Sequence, residues 1–185
     1  INGVSAGDQS GFSVSSAGDV NGDGLGDLII GAPLDDPNGT DSGASFVVFG
    51  KTGTGAVQLS AIEAGTGGFV INGVSAGDQS GFSVSSAGDV NGDGLGDLII
   101  GARYDDPNGN LSGASFVVFG KTGTTAVELS AIETGTGGGF VINGVSAGDQ
   151  SGIAVSSAGD VNGDGLDDLI IGARYDDPNG NLSGA

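Results

Sequence analysis

The 185-residue sequence contains no cysteine, histidine, methionine or tryptophan, and Lys51, Arg103, Lys121 and Arg174 are its only basic side chains. Without thiol or imidazole there is no cysteine or histidine nucleophile, no histidine base and no soft metal ligand. An all-oxygen coordination sphere is the one kind of metal site left to the chain. The lack of cysteine also excludes disulfides, although it leaves the redox compartment open. With four cations against 23 acids the formal net charge is −19, which excludes nucleic acid and acidic lipid as partners because both are held through positive charge. Apolar runs extend to about four residues, far short of the ~20 needed to cross a membrane as a helix, so no direct insertion is expected.

Glycine is abundant, at 41 residues, and 20 of the acids are aspartate. Such a composition would suit a disordered chain, but 37% hydrophobic content and a positive mean hydropathy of +0.13 supply enough apolar surface for a core. The organisation is repetitive. Ile-Asn-Gly-Val-Ser-Ala-Gly-Asp-Gln-Ser-Gly starts at Ile1, Ile71 and Ile142, dividing the chain into units 1–70, 71–141 and 142–185. The first two copies differ at seven of their first 68 positions, and the second and third at three of 44. An extra glycine within 137–139 lengthens the second period by one, and the third copy stops at Ala185, the equivalent of Ala44 and Ala114.

Within a unit the pattern predicts short strands separated by Gly, Asn and Asp punctuation. Gly11–Val20 alternates, Asp27–Gly31 is a buried apolar run, Ser45–Phe49 is a third strand and Gly68–Ile71 a fourth. One helical turn falls at Leu59–Glu63. Four short strands per unit, with no long helical period, predict an all-β fold of propeller blades. About three blades of four antiparallel strands are expected, the last incomplete. Since a closed propeller needs roughly four or more blades, the chain is expected to be a segment of a longer array or to close with other copies. An alternative is a single copy that folds Ile1–Val4 onto its third repeat.

The chemistry is concentrated in one nine-residue loop, Asp19-Val20-Asn21-Gly22-Asp23-Gly24-Leu25-Gly26-Asp27, repeated at Asp89–Asp97 and Asp160–Asp168. Oxygen side chains occupy positions 1, 3, 5 and 9: Asp19, Asn21, Asp23 and Asp27, then Asp89, Asn91, Asp93 and Asp97, then Asp160, Asn162, Asp164 and Asp168. Crowding them without a cation would open the loop by repulsion. Hard oxygens in this number suit Ca²⁺ better than Mg²⁺, with the backbone carbonyl of Leu25, Leu95 or Leu166 as a fifth protein ligand, which predicts about three ions. An EF-hand is excluded because its twelfth position requires Glu and is here Ile30, Ile100 and Ile171.

The unit Ala17-Gly18-Asp19-Val20-Asn21-Gly22-Asp23-Gly24, followed by Asp27-Leu28-Ile29-Ile30-Gly31-Ala32-Pro33 and by Gly43-Ala44-Ser45-Phe46-Val47-Val48-Phe49-Gly50, resembles the FG-GAP repeat. That repeat builds the β-propeller of integrin α subunits and of many bacterial surface proteins. The resemblance implies four-stranded blades with a calcium loop between the first two strands, in a protein of bacterial style. The chain departs from the pattern at Ser10-Gly11, Ser80-Gly81 and Ser151-Gly152, with the aromatic moved to Phe12 and Phe82. Gly-Ala-Pro becomes Gly-Ala-Arg at Arg103 and Arg174. Neither change touches an expected ligand.

Other patterns carry less. Gly50-Lys51-Thr52 and Gly120-Lys121-Thr122 echo a P-loop ending, but Ser45 and Ser115 stand where its first glycine belongs. The pairs Asp35-Asp36, Asp105-Asp106 and Asp176-Asp177 read as turn formers before Pro-Asn-Gly, or as glycosidase carboxylates. Arg103-Tyr104 and Arg174-Tyr175 precede two of them, to pair with those acids or to contact a ligand. Asn38, Asn110 and Asn181 head glycosylation sequons. The expected function is a calcium-binding propeller segment of a secreted or cell-surface protein, serving adhesion or extracellular assembly. Its partner is another protein or carbohydrate at the cell surface, or further copies of the repeat. The alternative is a non-catalytic accessory module of an extracellular hydrolase; no enzyme activity is expected of the chain itself.

Overall fold

The computed structural model describes residues 1–179 and 183–185. The first unit contributes β1 (Ser13–Gly18), β2 (Asp27–Ala32), β3 (Ala44–Val48), α1 (Leu59–Glu63) and β4 (Gly68–Asn72). The second gives β5 (Ser80–Gly88), β6 (Asp97–Ala102), β7 (Ala114–Val118), β8 (Val127–Glu128), α2 (Leu129–Glu133) and β9 (Gly139–Asn143). The third gives β10 (Ser151–Gly159) and β11 (Asp168–Ala173). In the first two units each of the four expected strands forms, as does the helical turn, and the third unit forms the first two strands.

Three meandering sheets result. β1-β2-β3-β4 and β5-β6-β7-β9 are four-stranded antiparallel ladders, and β10-β11 is a hairpin. Equivalent registers hold throughout, with Val48 opposite Gly68 and Val118 opposite Gly139. The extra glycine of the second unit is therefore absorbed between α2 and β9 without shifting the ladder, where a one-residue slip would have turned every side chain over. Ala173 and Ala185 exchange backbone hydrogen bonds (2.7 and 2.9 Å), the first step of the pairing that Ala44 and Ala114 make at the start of β3 and β7.

The sheets stack face to face, β5 against β1 and β10 against β5. Between the first and second lie Ile29, Val47, Phe69 and Ile71 on one side and Val84, Leu98, Ile100 and Phe116 on the other. Ile99 and Val117 of the second sheet meet Val155, Leu169 and Ile171 of the third. Both faces of the middle sheet are thus covered, and Leu98, Ile99 and Ile100, successive residues of β6, are all buried. The outer half of the first sheet's other face is closed by Leu59 and Ile62 of α1.

Neighbouring sheets are also tied at their rims. Ser80 N–H donates to the Ser42 carbonyl (3.1 Å) and Ser151 N–H to that of Ser112 (3.0 Å). β8 runs parallel beside β4, a strand pairing between units that local patterning did not indicate. Asn2 occupies the equivalent place on the first unit, bonded to Val57 (2.9 Å) and Leu59 (3.0 Å). Ile1–Val4 therefore packs on its own first repeat and not on the third, because Val57–Gln58 offers it the edge that β8 offers β4.

Candidate metal centre

Each nine-residue loop forms the tight connection between the first two strands of its sheet, where the sequence places it. Gly22 and Gly24 adopt φ of +76° and +84°, a left-handed backbone that side chains resist, so the curl depends on glycine there. Asp19 anchors the curl: one carboxylate oxygen accepts the N–H groups of Gly22 (2.8 Å) and Asp23 (3.0 Å), and the other accepts Gly24 N–H (2.9 Å). Asn21 Oδ1 accepts Asp23 N–H (2.8 Å), and Asp23 accepts Leu25 N–H (2.8 Å). Asp89, Asn91 and Asp93 repeat this pattern, as do Asp160, Asn162 and Asp164 with Leu166.

The last aspartate has a different setting. Asp27 is buried and accepts the N–H groups of Val20 (2.9 Å) and Gly50 (2.7 Å), clamping the loop to the segment that follows β3. Asp97 does the same with Val90 and Gly120, and Asp168 accepts Val161 N–H (2.8 Å). Burial raises the pKa of Asp27 and Asp97. The backbone N–H groups work against that rise, and the neighbouring loop aspartates, Asp23 and Asp19 or Asp93 and Asp89, add to it.

Among the described residues no three acidic side chains converge on one point; the aspartates are spread along the curl. The donor chemistry nevertheless fits a hard cation. Each loop carries four oxygen side chains, and each carboxylate retains lone pairs beyond those taken by backbone N–H groups. The residues that would hold Ca²⁺ are those at positions 1, 3, 5 and 9 with the position-7 carbonyl.

Successive loops touch, a feature a single unit does not reveal. Gly96 N–H donates to the Asp19 carbonyl (2.9 Å) and Lys121 N–H to that of Val20 (2.9 Å). At the next junction Asp167, which replaces Gly96, accepts Asp89 N–H on its side chain (2.8 Å). Leu95 and Leu166 reach over Gly22 and Gly92 of the preceding loop, so the position-7 leucines join the loops as well as offering a carbonyl.

The remaining motifs resolve individually. Asp35 and Asp36 cap their turn, accepting Asp36 N–H (3.0 Å) and Asp41 N–H (2.7 Å) respectively. Arg103 bonds Gln79 Oε1 through Nε (3.2 Å) and Nη2 (2.9 Å) and lies 3.5 Å from the Phe82 ring centroid rather than on the following acids. Arg174 stacks on Tyr175. Lys51 and Lys121 cap the carbonyls of Gly55 and Thr125 in their own loops, which is not a phosphate cradle. The third sequon begins at Asn181, outside the described residues. Asp105, named from the sequence in its acid pair, proves to be buried with its Oδ2 unpartnered, its pKa pushed up to about 7 by burial and by the charges of Asp78 and Glu133. Asp78 is pushed up to about 6, again chiefly by burial. The signal was distributed over three distant segments.

The family description "FG-GAP repeat" matches residues 10–59, 80–118 and 151–185. The chain is 31% identical over 186 residues to integrin alpha-PS2 of Drosophila melanogaster, covering 96% of this chain and 12% of that protein. It is 29% identical over 165 residues to integrin alpha-4 of Xenopus laevis, with 87% and 14% covered. Integrin alpha-6 of Homo sapiens is 37% identical over 90 residues, which is 48% of this chain and 7% of that protein. The chain thus spans a small part of these relatives. The repeats, the three stacked antiparallel sheets and these matches together make the chain a member of the FG-GAP repeat family, an integrin-α-like segment of β-propeller blades.

Proposed function

We propose that the chain is a calcium-stiffened propeller segment of a secreted or cell-surface protein, acting in adhesion or extracellular assembly by presenting rigid blades to a protein or carbohydrate partner. The carrying observation is the curled loop itself, present three times. Four hard oxygen donors stand on nine residues, and the buried Asp27 and Asp97 have their charge opposed by burial and by neighbouring aspartates. A divalent cation relieves that opposition. The integrin-α relatives support the adhesion-related setting.

Extracellular modules bind Ca²⁺ at roughly 0.1–1 mM, which cytosolic calcium would not fill. At millimolar calcium and a dissociation constant near 0.1 mM, each site stabilises the fold by about 1.4 kcal/mol. Three independent sites sum to about 4 kcal/mol, or roughly 10 °C in Tm for a chain of this size. Melting with calcium and with chelator should differ by that order, and overlaid curves would remove the metal from the proposal. Titration calorimetry yielding sub-micromolar sites would move the proposed role inside the cell.

A further inference from the structure

At the end of the sheet remote from the nine-residue loop, three acids from distant segments are drawn together. In the second unit these are Asp78, on the approach to β5, Asp105, in the turn after β6, and Glu133, at the end of α2. Tyr104 N–H donates to the Asp78 carbonyl (3.3 Å), which ties the turn to the approach. The first unit repeats the arrangement with Asp8, Asp35 and Glu63, where Leu34 N–H donates to the Asp8 carbonyl (3.4 Å). Asp78 and Asp105 are each 7% exposed. Asp105 Oδ1 accepts Asp106 N–H (2.9 Å), but its Oδ2 is enclosed with no hydrogen-bond partner. Among the described residues no basic side chain answers these acids. Lys51 and Lys121 bond carbonyls of their own loops, Arg103 holds Gln79, and Arg174 stacks on Tyr175. Loss of solvent, and after it the charges of Asp78 and Glu133, raise the pKa of Asp105; Asp35 and Glu63 are raised chiefly by loss of solvent too, with Asp8 adding to both.

We propose that Asp105, Asp78 and Glu133 form a second class of cation site, taking Ca²⁺ at the rim of the sheet, with Asp35, Asp8 and Glu63 as its copy in the first unit. An enclosed carboxylate oxygen among like charges lacks a cation, because a buried charge persists only when paired or bound to metal. Asp105 Oδ2 is the fixed donor. Asp78 Oδ2 accepts Ser75 N–H (2.8 Å), which leaves Oδ1 to the ion. As in the loops, the three acids do not converge on one point, and Glu133, exposed on the solvent side, has the rotamer freedom to close the site. Carboxylate oxygens without nitrogen or sulfur donors suit Ca²⁺ over transition metals. With fewer donors than a loop offers, this is the weaker class and fills after the loops. It is also independent of them, since the six residues of β6 put about 20 Å between Asp97 and the turn.

Terbium luminescence separates the two classes. Tb³⁺ replaces Ca²⁺ at oxygen sites and emits when an excited tyrosine nearby passes energy to it, a transfer that falls steeply with distance. The chain has two tyrosines and no tryptophan. Tyr104 adjoins Asp105, Cα to Cα about 3.8 Å, whereas the loop of its unit lies at the far end of β6. Tyr175 adjoins Asp176 in the third unit, so Tyr175→Phe leaves Tyr104 as the sole donor. In that background Tb³⁺ should give tyrosine-sensitised emission, and excess Ca²⁺ should extinguish it. Asp105→Asn keeps an oxygen for Asp106 N–H and should abolish the emission. Glu133→Gln, a change on an exposed side chain, should raise the Tb³⁺ needed several-fold. Failure of the loops to bind would show in calcium calorimetry and leave this emission standing, so the two readings fail separately. No emission, or emission unaltered by Asp105→Asn, by Glu133→Gln or by Ca²⁺, would overturn the proposal.

Discussion

Gly101→Ala is the substitution by which stacking of the repeats is best tested. Gly101 sits in β6, and a Cβ added there would stand 1.9 Å from the Gly152 carbonyl oxygen and 2.4 Å from Ser83 Oγ, against an ordinary contact of 3.4 Å or more. Ser83 Oγ donates to that carbonyl (2.7 Å) and would lose the bond on turning away, while the carbonyl is part of the β10 backbone, held by the pairing of Ser151 and Ala154 with β11 on either side. Relief requires the third sheet to move out by about 1.5 Å, opening the layer that holds Ile99, Val117 and Leu169. Overpacking of this kind costs about 1–3 kcal/mol, and backbone contact puts this site at the upper end. The entropy alanine removes from the unfolded chain offsets only about 0.4–1 kcal/mol. A net loss of roughly 2 kcal/mol lowers Tm by about 4–8 °C. Gly172→Ala, chemically the same change at the equivalent residue, has no described atom nearer than 3.7 Å to the new Cβ and should raise Tm by about 1–4 °C. Calorimetric melting of the two variants under identical conditions compares them directly. Equal effects at both positions would refute the stacked arrangement.

Asp23→Ala removes one oxygen ligand and the partner of Leu25 N–H, so titration should count two calcium sites instead of three while Asp93 and Asp164 continue to bind. Asp105→Asn tests the buried acid. A carboxyl at about 7 in the fold against an ordinary 3.8 favours folding below pH 4 and progressively loses that advantage as pH rises through 7. The variant should therefore melt higher than wild type at pH 8, by about 1–2 kcal/mol after allowance for solvent screening, and show no gain at pH 4; a gain that persists at pH 4 would exclude titration as the cause. Glu128 holds Asn72 Nδ2 (2.7 Å) and Asn38 Nδ2 (3.1 Å), joining the first and second units. Glu128→Ala should cost about 1.5 kcal/mol in thermal melts, and Glu128→Gln less, because Gln keeps one acceptor oxygen.

What the sequence revealed, and what it hid, divides along the line between local and long-range physics. The strands, the helical turn and the loops were legible because alternation, apolar runs and glycine punctuation act within a few residues. The loop curl was legible in particular because aspartate at position 1 and glycines at 4 and 6 dictate its backbone together. β8 was not legible, because Val127–Glu128 is strand only through β4 lying beside it. The second role of Asp27, binding Gly50 N–H across 23 residues, required the β2–β3 pairing first. Arg103 illustrates the same limit. Local charge favoured the following acids, while the fold supplied Gln79 and the Phe82 face from the previous strand and its approach.

Identity of sequence does not confer identity of environment, and the middle unit shows why. Asp35 and Asp105 share the same Asp-Asp-Pro-Asn-Gly turn, and burial raises both, yet only Asp105 reaches about 7. Its partners Asp78 and Glu133 correspond to Asp8 and Glu63, so the local charges are repeated as well. What differs is the side chains flanking the turn, Leu34 and Asp41 becoming Tyr104 and Leu111, and the sheet on either side. The second sheet alone has both faces covered, which withdraws solvent from its rim acids as it withdraws solvent from Val84 and Leu98. Desolvation opposes charge whether the group lies in a loop or a turn. Covering a further face of the array should therefore raise the acids beneath it, even though no residue near them has changed.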